Sequence, residues 1–341
     1  MRWALATVAL VAWFAACSRG VSATDAPVAL TRQGRLGSLR DFVLIERAVG
    51  GRSVALFFDR FEVTRGDWNE FAADAAGRAI AAGPIAGDPV LPIGGVDLRQ
   101  ARAFAAWRYA RLPRLDEWQL AALGDGRYRY PWGSKDDPTR ANTAELGLGE
   151  STPAGAFESG RRSEGGQPYD LVGNVSEWTE TVPVSWCLRE RAEPLGSVLD
   201  PEAGYAVAAM RVRAVPALAV WLGVGGLVPP AVAAELGGAG VPREVAGSDF
   251  QSPMSQLVEA VAAGERRSRT GIRLCAAPEE LLRAMLADDR DLTALDREQL
   301  RRFLARPGHR EAMRRAWREL RPSAESTIGR LLAQELQPGG A

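Results

Sequence analysis

Trp107, Trp118, Trp132 and Trp178 fall in a stretch with many glycines and prolines, short apolar runs and few long helical patterns. Such a stretch builds its core from large aromatic anchors beneath irregular loops, because each indole buries a large apolar area. It runs from about Phe42 to Ala277 in a chain of 341 residues, long enough for one large or two ordinary domains. Beyond it the texture turns to continuous helix. Pro278-Glu279-Glu280 opens a first helix, with Leu281, Leu282, Met285 and Leu286 on one stripe. Asp296 is read as the cap of a second, carrying Leu300, Phe303 and Leu304, and Pro307-Gly308 breaks it. Ala312, Met313, Ala316, Trp317 and Leu320 mark a third, and Ile328, Leu331, Leu332 and Leu336 a fourth. These helices suffice for a small bundle or for packing on the main domain, and their arginines form a solvated face or a partner surface.

Three helices are expected inside the loop-rich part. Thr64 is an N-cap with Asp67 three residues on, ahead of Trp68, Phe71 and Ala72. Asp97 and Gln100 form the same kind of box ahead of Ala101, Phe104, Ala105 and Trp107. A third follows Pro113, with Asp116 and Glu117 in its first turn and Trp118, Leu120 and Ala121 facing inward.

At the N-terminus, Met1-Arg2 and the apolar run Trp3 to Ala16 read as a signal peptide, too short and too abruptly ended by Ser18-Arg19-Gly20 for a membrane span. Phe14-Ala15-Ala16-Cys17 resembles a bacterial lipoprotein cleavage box, although an aliphatic residue is usual at Phe14. Cys17 would then carry the lipid and tie the protein to the membrane at the periplasmic face of the outer membrane. Ordinary cleavage, with Cys17 discarded or left free, is the alternative. Both readings export the chain to a compartment where disulfides persist. The domain plan is a signal peptide at 1–17, a linker at 18–40, the loop-rich domain at 41–277 and a helical extension at 278–341.

Composition excludes several functions. Lys+Arg 42 balance Asp+Glu 42, which removes the electrostatic case for a nucleic-acid partner. His309 is the single histidine and Cys17, Cys187 and Cys275 the only cysteines, so a histidine-rich iron or zinc centre cannot be built. In the helical tail, His309 reads as a surface or packing residue.

The ordered segments Phe61-Glu62-Val63-Thr64, Ala106-Trp107, Arg111-Leu112-Pro113, Glu117-Trp118, Tyr130-Pro131-Trp132-Gly133, Ala141-Asn142 and Thr152-Pro153-Ala154-Gly155 lead to Tyr169-Asp170-Leu171-Val172-Gly173-Asn174-Val175-Ser176-Glu177-Trp178. Gly247-Ser248 and Gly271-Ile272-Arg273 follow. Together they resemble the formylglycine-generating enzyme (sulfatase-modifying factor) family over roughly Phe42 to Ala277. The resemblance implies an α+β fold with a C-type-lectin-like core. It also implies calcium at the Gly173 turn, with side-chain oxygens from Asp170 and Glu177 and main-chain carbonyls from Gly173 and Val175. Hard oxygen donors around a glycine turn suit that ion. Carboxylates stapling loop amides are the alternative. A second family calcium site would begin at Asn142 and Thr143, but its completing stretch, Gly149-Glu150-Ser151, is shortened here.

The same resemblance implies an oxidase whose paired cysteines follow the glycine-serine turn, hold Cu(I) and bind the substrate thiol; copper(I) selects soft thiolates. Here the turn is Ala246-Gly247-Ser248-Asp249, and Phe250 to Arg269 contains no cysteine. The related iron-dependent sulfoxide synthases need a histidine cluster that is missing. Cys275 falls where the family places a structural half-cystine, but its usual partner position, near Ala105, is alanine. Cys187 and Cys275 either pair or remain two separate thiols. Carboxylate acid–base chemistry stays open, but no catalytic residue is assigned and copper is not expected. Ala214 to Ala234 is unusually apolar and reads as core or as a membrane or partner contact; Pro229-Pro230 and its glycines weaken a helix there. The reading is an exported, lipid-anchored module of the cell envelope that binds an unknown protein or peptide. The alternative is an active formylglycine-generating-type oxidase or a related protein-maturation enzyme.

Overall fold

The computed structural model describes residues 36, 39, 41–49, 52–124, 128–162, 167–183, 242–288 and 291–337. Cys17, Cys187 and the apolar stretch 214–234 lie outside them.

The architecture is α+β, as expected. Strands β1 (Phe42–Val49) and β2 (Arg52–Asp59) form an antiparallel pair, and β7 (Cys275–Ala276) joins the far edge of β2. A second sheet has β3 (Ser176–Trp178) at its centre. It is flanked by antiparallel β4 (Pro242–Ala246) and parallel β6 (Thr270–Gly271), with β5 (Val258–Ala262) beyond β4.

The period of two along β1 and β2 divides the core. On one face, Phe42 and Phe57 pack with α1 (Arg65–Ala73), α3 (Leu98–Trp107) and the four C-terminal helices. On the other, Val43, Ile45, Leu56 and Phe58 meet Trp118, Ala121 and Ala122 of α4 (Leu115–Leu123). A short helix, α2 (Ala75–Arg78), follows α1. Trp118 and Trp178 are fully buried and Trp107 nearly so. Trp132 is only half-buried, stacked on Tyr130 at 5.0 Å, and is a rim residue rather than a core anchor.

The caps expected from sequence form. Thr64 Oγ1 accepts from Asp67 N at 3.2 Å while Asp67 accepts from Thr64 N at 2.9 Å. Asp97 and Gln100 reciprocate in the same way. After β7 come α5 (Pro278–Leu286), α6 (Ala294–Ala305), α7 (His309–Leu320) and α8 (Thr327–Glu335). The cap of α6 is Thr293, not Asp296. Asp296 sits three residues inside and its carboxylate reaches back to Thr293 N and Oγ1, the reciprocal half of the box.

These helices share a continuous core with the loop-rich part. Leu281, Leu282, Met285, Phe303, Ala312 and Met313 bury against the Phe42–Phe57 face. Polar ties rim the contact: Arg111 donates to Glu280 at 2.9 Å, Tyr109 to Asp288, and Arg315 pairs with Glu46. Leu36 and Leu39, read from sequence as linker, are fully buried in the same core.

Candidate functional site

The stretch from Tyr169 to Trp178 turns on three left-handed residues, Asp170 at φ 50°, Gly173 at φ 83° and Asn174 at φ 63°. Glycine is required at 173, because a Cβ there would lie 2.4 Å from the Asn142 carbonyl oxygen. Asn174 accepts that left-handed geometry and becomes the hub of the site. Its N–H donates to Asn142 O at 2.7 Å and its Nδ2 to Glu62 Oε2 at 2.6 Å. Its Oδ1 accepts from Thr152 N at 2.8 Å, and its own carbonyl accepts from Phe250 N at 3.1 Å. One amide thus ties together loops that are far apart in sequence.

Beneath the hub lies a buried charge cluster. Arg273, fully buried, donates through Nε to Glu177 Oε1 at 2.7 Å, through Nη1 to Asp59 O at 3.1 Å and through Nη2 to Tyr169 O at 2.8 Å. The second oxygen of Glu177 accepts from Trp118 Nε1 at 2.7 Å. Asp170 Oδ2 accepts from Gly155 N at 2.5 Å, and Glu62 Oε1 from Val175 N at 3.1 Å. Three carboxylates, Glu62, Asp170 and Glu177, therefore share the field of one guanidinium. Burial drives Glu62 well above the ordinary carboxylate range, and the neighbouring Asp170 charge adds to it. Burial likewise pushes Asp170 up to about 6 and raises Glu177, which Arg273 partly offsets.

The structure brings the calcium candidates Asp170, Gly173, Val175 and Glu177 into one turn. Three carboxylates outnumber the one guanidinium, a charge balance that suits a hard cation, although both oxygens of Glu177 are here bound to Arg273 Nε and Trp118 Nε1. Among the described residues, no three His, Cys, Asp or Glu side chains converge as a closed metal set. Any ion here would therefore depend on main-chain carbonyls such as those of Gly173 and Val175.

Asn142 reaches the same hub, its Nδ2 donating to Glu150 O at 2.9 Å and to Asn174 Oδ1 at 3.3 Å. Its Oδ1 is buried without a hydrogen-bond partner, a donor atom of the kind a cation would use. The Thr143 hydroxyl is turned away to the Glu145 carboxylate at 2.8 Å. Sequence reasoning singled out neither Arg273 as the partner of Glu177 nor Glu62 as the partner of Asn174. Both lie in segments that carry the family resemblance, and that was the available signal.

At the glycine-serine turn and at Cys275, the side chains among the described residues are engaged in structural contacts. Ser248 Oγ donates to Met254 O at 3.2 Å. Asp249 is saturated by Gln251 N, Ser252 Oγ and Arg269, a loop staple rather than a catalytic acid. Cys275 is a free thiol, fully buried on β7, 3.1 Å from Arg111 Nη1 and 3.8 Å from Glu117 Oε2. Arg111 is bound bidentately to Glu117 at 2.6 and 2.7 Å. Burial pushes the thiol well above its ordinary value, so Cys275 stays protonated and unreactive. His309 is likewise buried, packed between aromatic rings in the helical part.

The family profile described as "Sulfatase-modifying factor enzyme 1-like domain" matches residues 38–209, half of the chain. The chain belongs to this family. Inactive C-alpha-formylglycine-generating enzyme 2 of Bos taurus is 41% identical over 99 residues, 26% of this chain and 32% of that protein. Formylglycine-generating enzyme of Mycobacterium tuberculosis is 35% identical over 109 residues, 28% of this chain and 34% of that protein. Hercynine oxygenase of the same organism is 36% identical over 100 residues, 28% of this chain and 23% of that protein. The chain thus spans about a third or less of the length of these curated relatives. Among solved structures, CarF matches with a TM-score of 0.42 at 16% identity, over 69% of this chain and 94% of that one. The family holds relatives named as active enzymes and relatives named as inactive.

Proposed function

We propose that this chain is an exported, lipid-anchored sulfatase-modifying-factor domain that has lost thiol oxidation and serves as a binding or assembly module at the cell envelope. The observation that carries the proposal is Cys275. The family resemblance implies a Cu(I) site built from two neighbouring cysteines, and copper(I) selects thiolates. Cys275 is instead a protonated thiol sealed behind the Arg111–Glu117 ion pair, and Phe250 to Arg269 supplies no cysteine. The relatives named inactive support the same reading. In this proposal Cys17 carries the lipid, the module faces the periplasm from the outer membrane, and its partner is a protein or peptide rather than nucleic acid.

Calcium belongs to the proposal as a brace. Asp170 and Glu177 would supply side-chain oxygens and Gly173 and Val175 carbonyls, and Asn142 Oδ1 is the donor available to a second ion. When bound, the ion supplies charge compensation to Glu62, Asp170 and Glu177, and the chain's own residues keep the loop wound.

Copper(I) titration of the purified protein against a chromophoric chelator tests the loss of oxidase chemistry. The proposal expects no tight site. A tight site abolished by Cys275→Ala or Cys187→Ser would restore the active formylglycine-generating-type oxidase.

A further inference from the structure

His309 opens α7 directly after the Pro307-Gly308 break. Its ring lies 4.9 Å from Phe57 of β2 and 4.8 Å from Phe303 of α6. It is 2% exposed, and its Nδ1 is buried without a hydrogen-bond partner. The turn that delivers it is tight. Gly308 is left-handed at φ 76°, and a Cβ there would stand 2.8 Å from Leu44 Cδ2 of β1. The imidazole is thus the point where α6, α7 and the sheet meet.

Burial and the nearby Arg306 outweigh the one group that favours a positive charge on this ring, the Phe303 backbone that hydrogen-bonds it. Phe57 and Phe303 offer no carboxylate, and the first turn of α7 presents the positive end of its helix dipole. The charge that acts on the ring is the cation Arg306. Acidic groups of the neighbouring elements are engaged elsewhere: Asp59 of β2 with Arg108, Glu46 of β1 with Arg315, Glu280 of α5 with Arg111, and Glu335 of α8 with Arg301. Asp296 is held in the α6 cap.

We propose that His309 is an acid-released latch: the neutral ring holds α6 and α7 on β2, and the protonated ring lets them lift from the sheet. Burial pulls the imidazole down to about 3, with Arg306 adding to the effect. The docked form therefore binds fewer protons than the opened form. Docking is at full strength above about pH 6.5 and is lost progressively as the pH falls toward about 3. Each pH unit across that window raises the opened population by up to about tenfold.

Native-state hydrogen exchange of the full chain near neutral pH and at about pH 4.5, corrected for intrinsic rates, tests the latch. Protection of α6 and α7 should fall by up to about 100-fold relative to β3 and β4. His309→Phe should remove most of that fall. The Asp296 cap is present in both proteins and cancels in the comparison. An equal fall in His309→Phe overturns the proposal. Should that variant fail to fold, the imidazole signal of the wild-type protein decides, because the chain has one histidine. An imidazole titrating near its ordinary value while α6 and α7 stay protected also overturns it. Titration coincident with loss of protection supports it.

Discussion

The turn from Tyr169 to Trp178 and the helices beyond Pro278 are both buried on their inner sides, but different physics holds them. The turn is held by directional bonds among Glu62, Asn174, Glu177 and Arg273, each with one partner geometry. The helices are held by Leu281, Leu282, Met285, Phe303 and Met313, whose contacts depend on volume rather than direction. A polar knot of this kind tolerates little change, because removing one member leaves its partners buried and unpaired. An apolar seam accepts a neighbour of similar volume.

Substitution at Arg273 tests the contrast most severely. Arg273→Met leaves Glu62, Asp170 and Glu177 without their cation and should cost about 3–5 kcal/mol in urea denaturation. Leu282→Ala in the seam should cost about 3 kcal/mol, and Leu282→Met less than about 1.5 kcal/mol. Arg273→Lys should remain strongly destabilising, since one ammonium cannot span Glu177, Asp59 O and Tyr169 O. Equal tolerance of both conservative swaps would erase the distinction.

Calcium sharpens the same comparison. If the knot is braced by the ion, calcium at about 100 times its dissociation constant should stabilise the protein by about 2.7 kcal/mol. Thermal melts with and without chelator measure this, and Asp170→Ala should remove most of the shift. Exchange protection should rise in the turn and not in α6 or α7.

The smallest effects belong to the caps. Thr64→Ala and Asp97→Ala should each cost about 1 kcal/mol, read from chemical denaturation midpoints, wherever in the fold their helices pack.

That ranking matches what could be read from sequence. Caps are local: Thr64 with Asp67 and Asp97 with Gln100 are visible three residues apart, and both boxes form. For α6 only Asp296 was read, as the cap itself; Thr293 takes that place and Asp296 is the reciprocal member of the box. Apolar stripes are nearly as local, so the helices beyond Pro278 were legible, but not the sheet face that receives them. The knot was legible only in part. Asp170 and Glu177 lie in one motif, whereas Arg273 is 96 residues from Glu177 and Glu62 is 112 from Asn174. Nothing in local spacing pairs residues so far apart; the fold does. The burial of Leu36 and Leu39 escaped for the same reason.

We propose that this family member has a buried structural knot but no working sulfur chemistry. The most direct test is to incubate the purified protein with copper, oxygen and a cysteine-bearing sulfatase peptide and follow the peptide by mass spectrometry. The account predicts that the thiol survives at the rate of a protein-free control. Oxygen-dependent conversion of that cysteine to an aldehyde, lost in Cys275→Ala or Cys187→Ser, would contradict it.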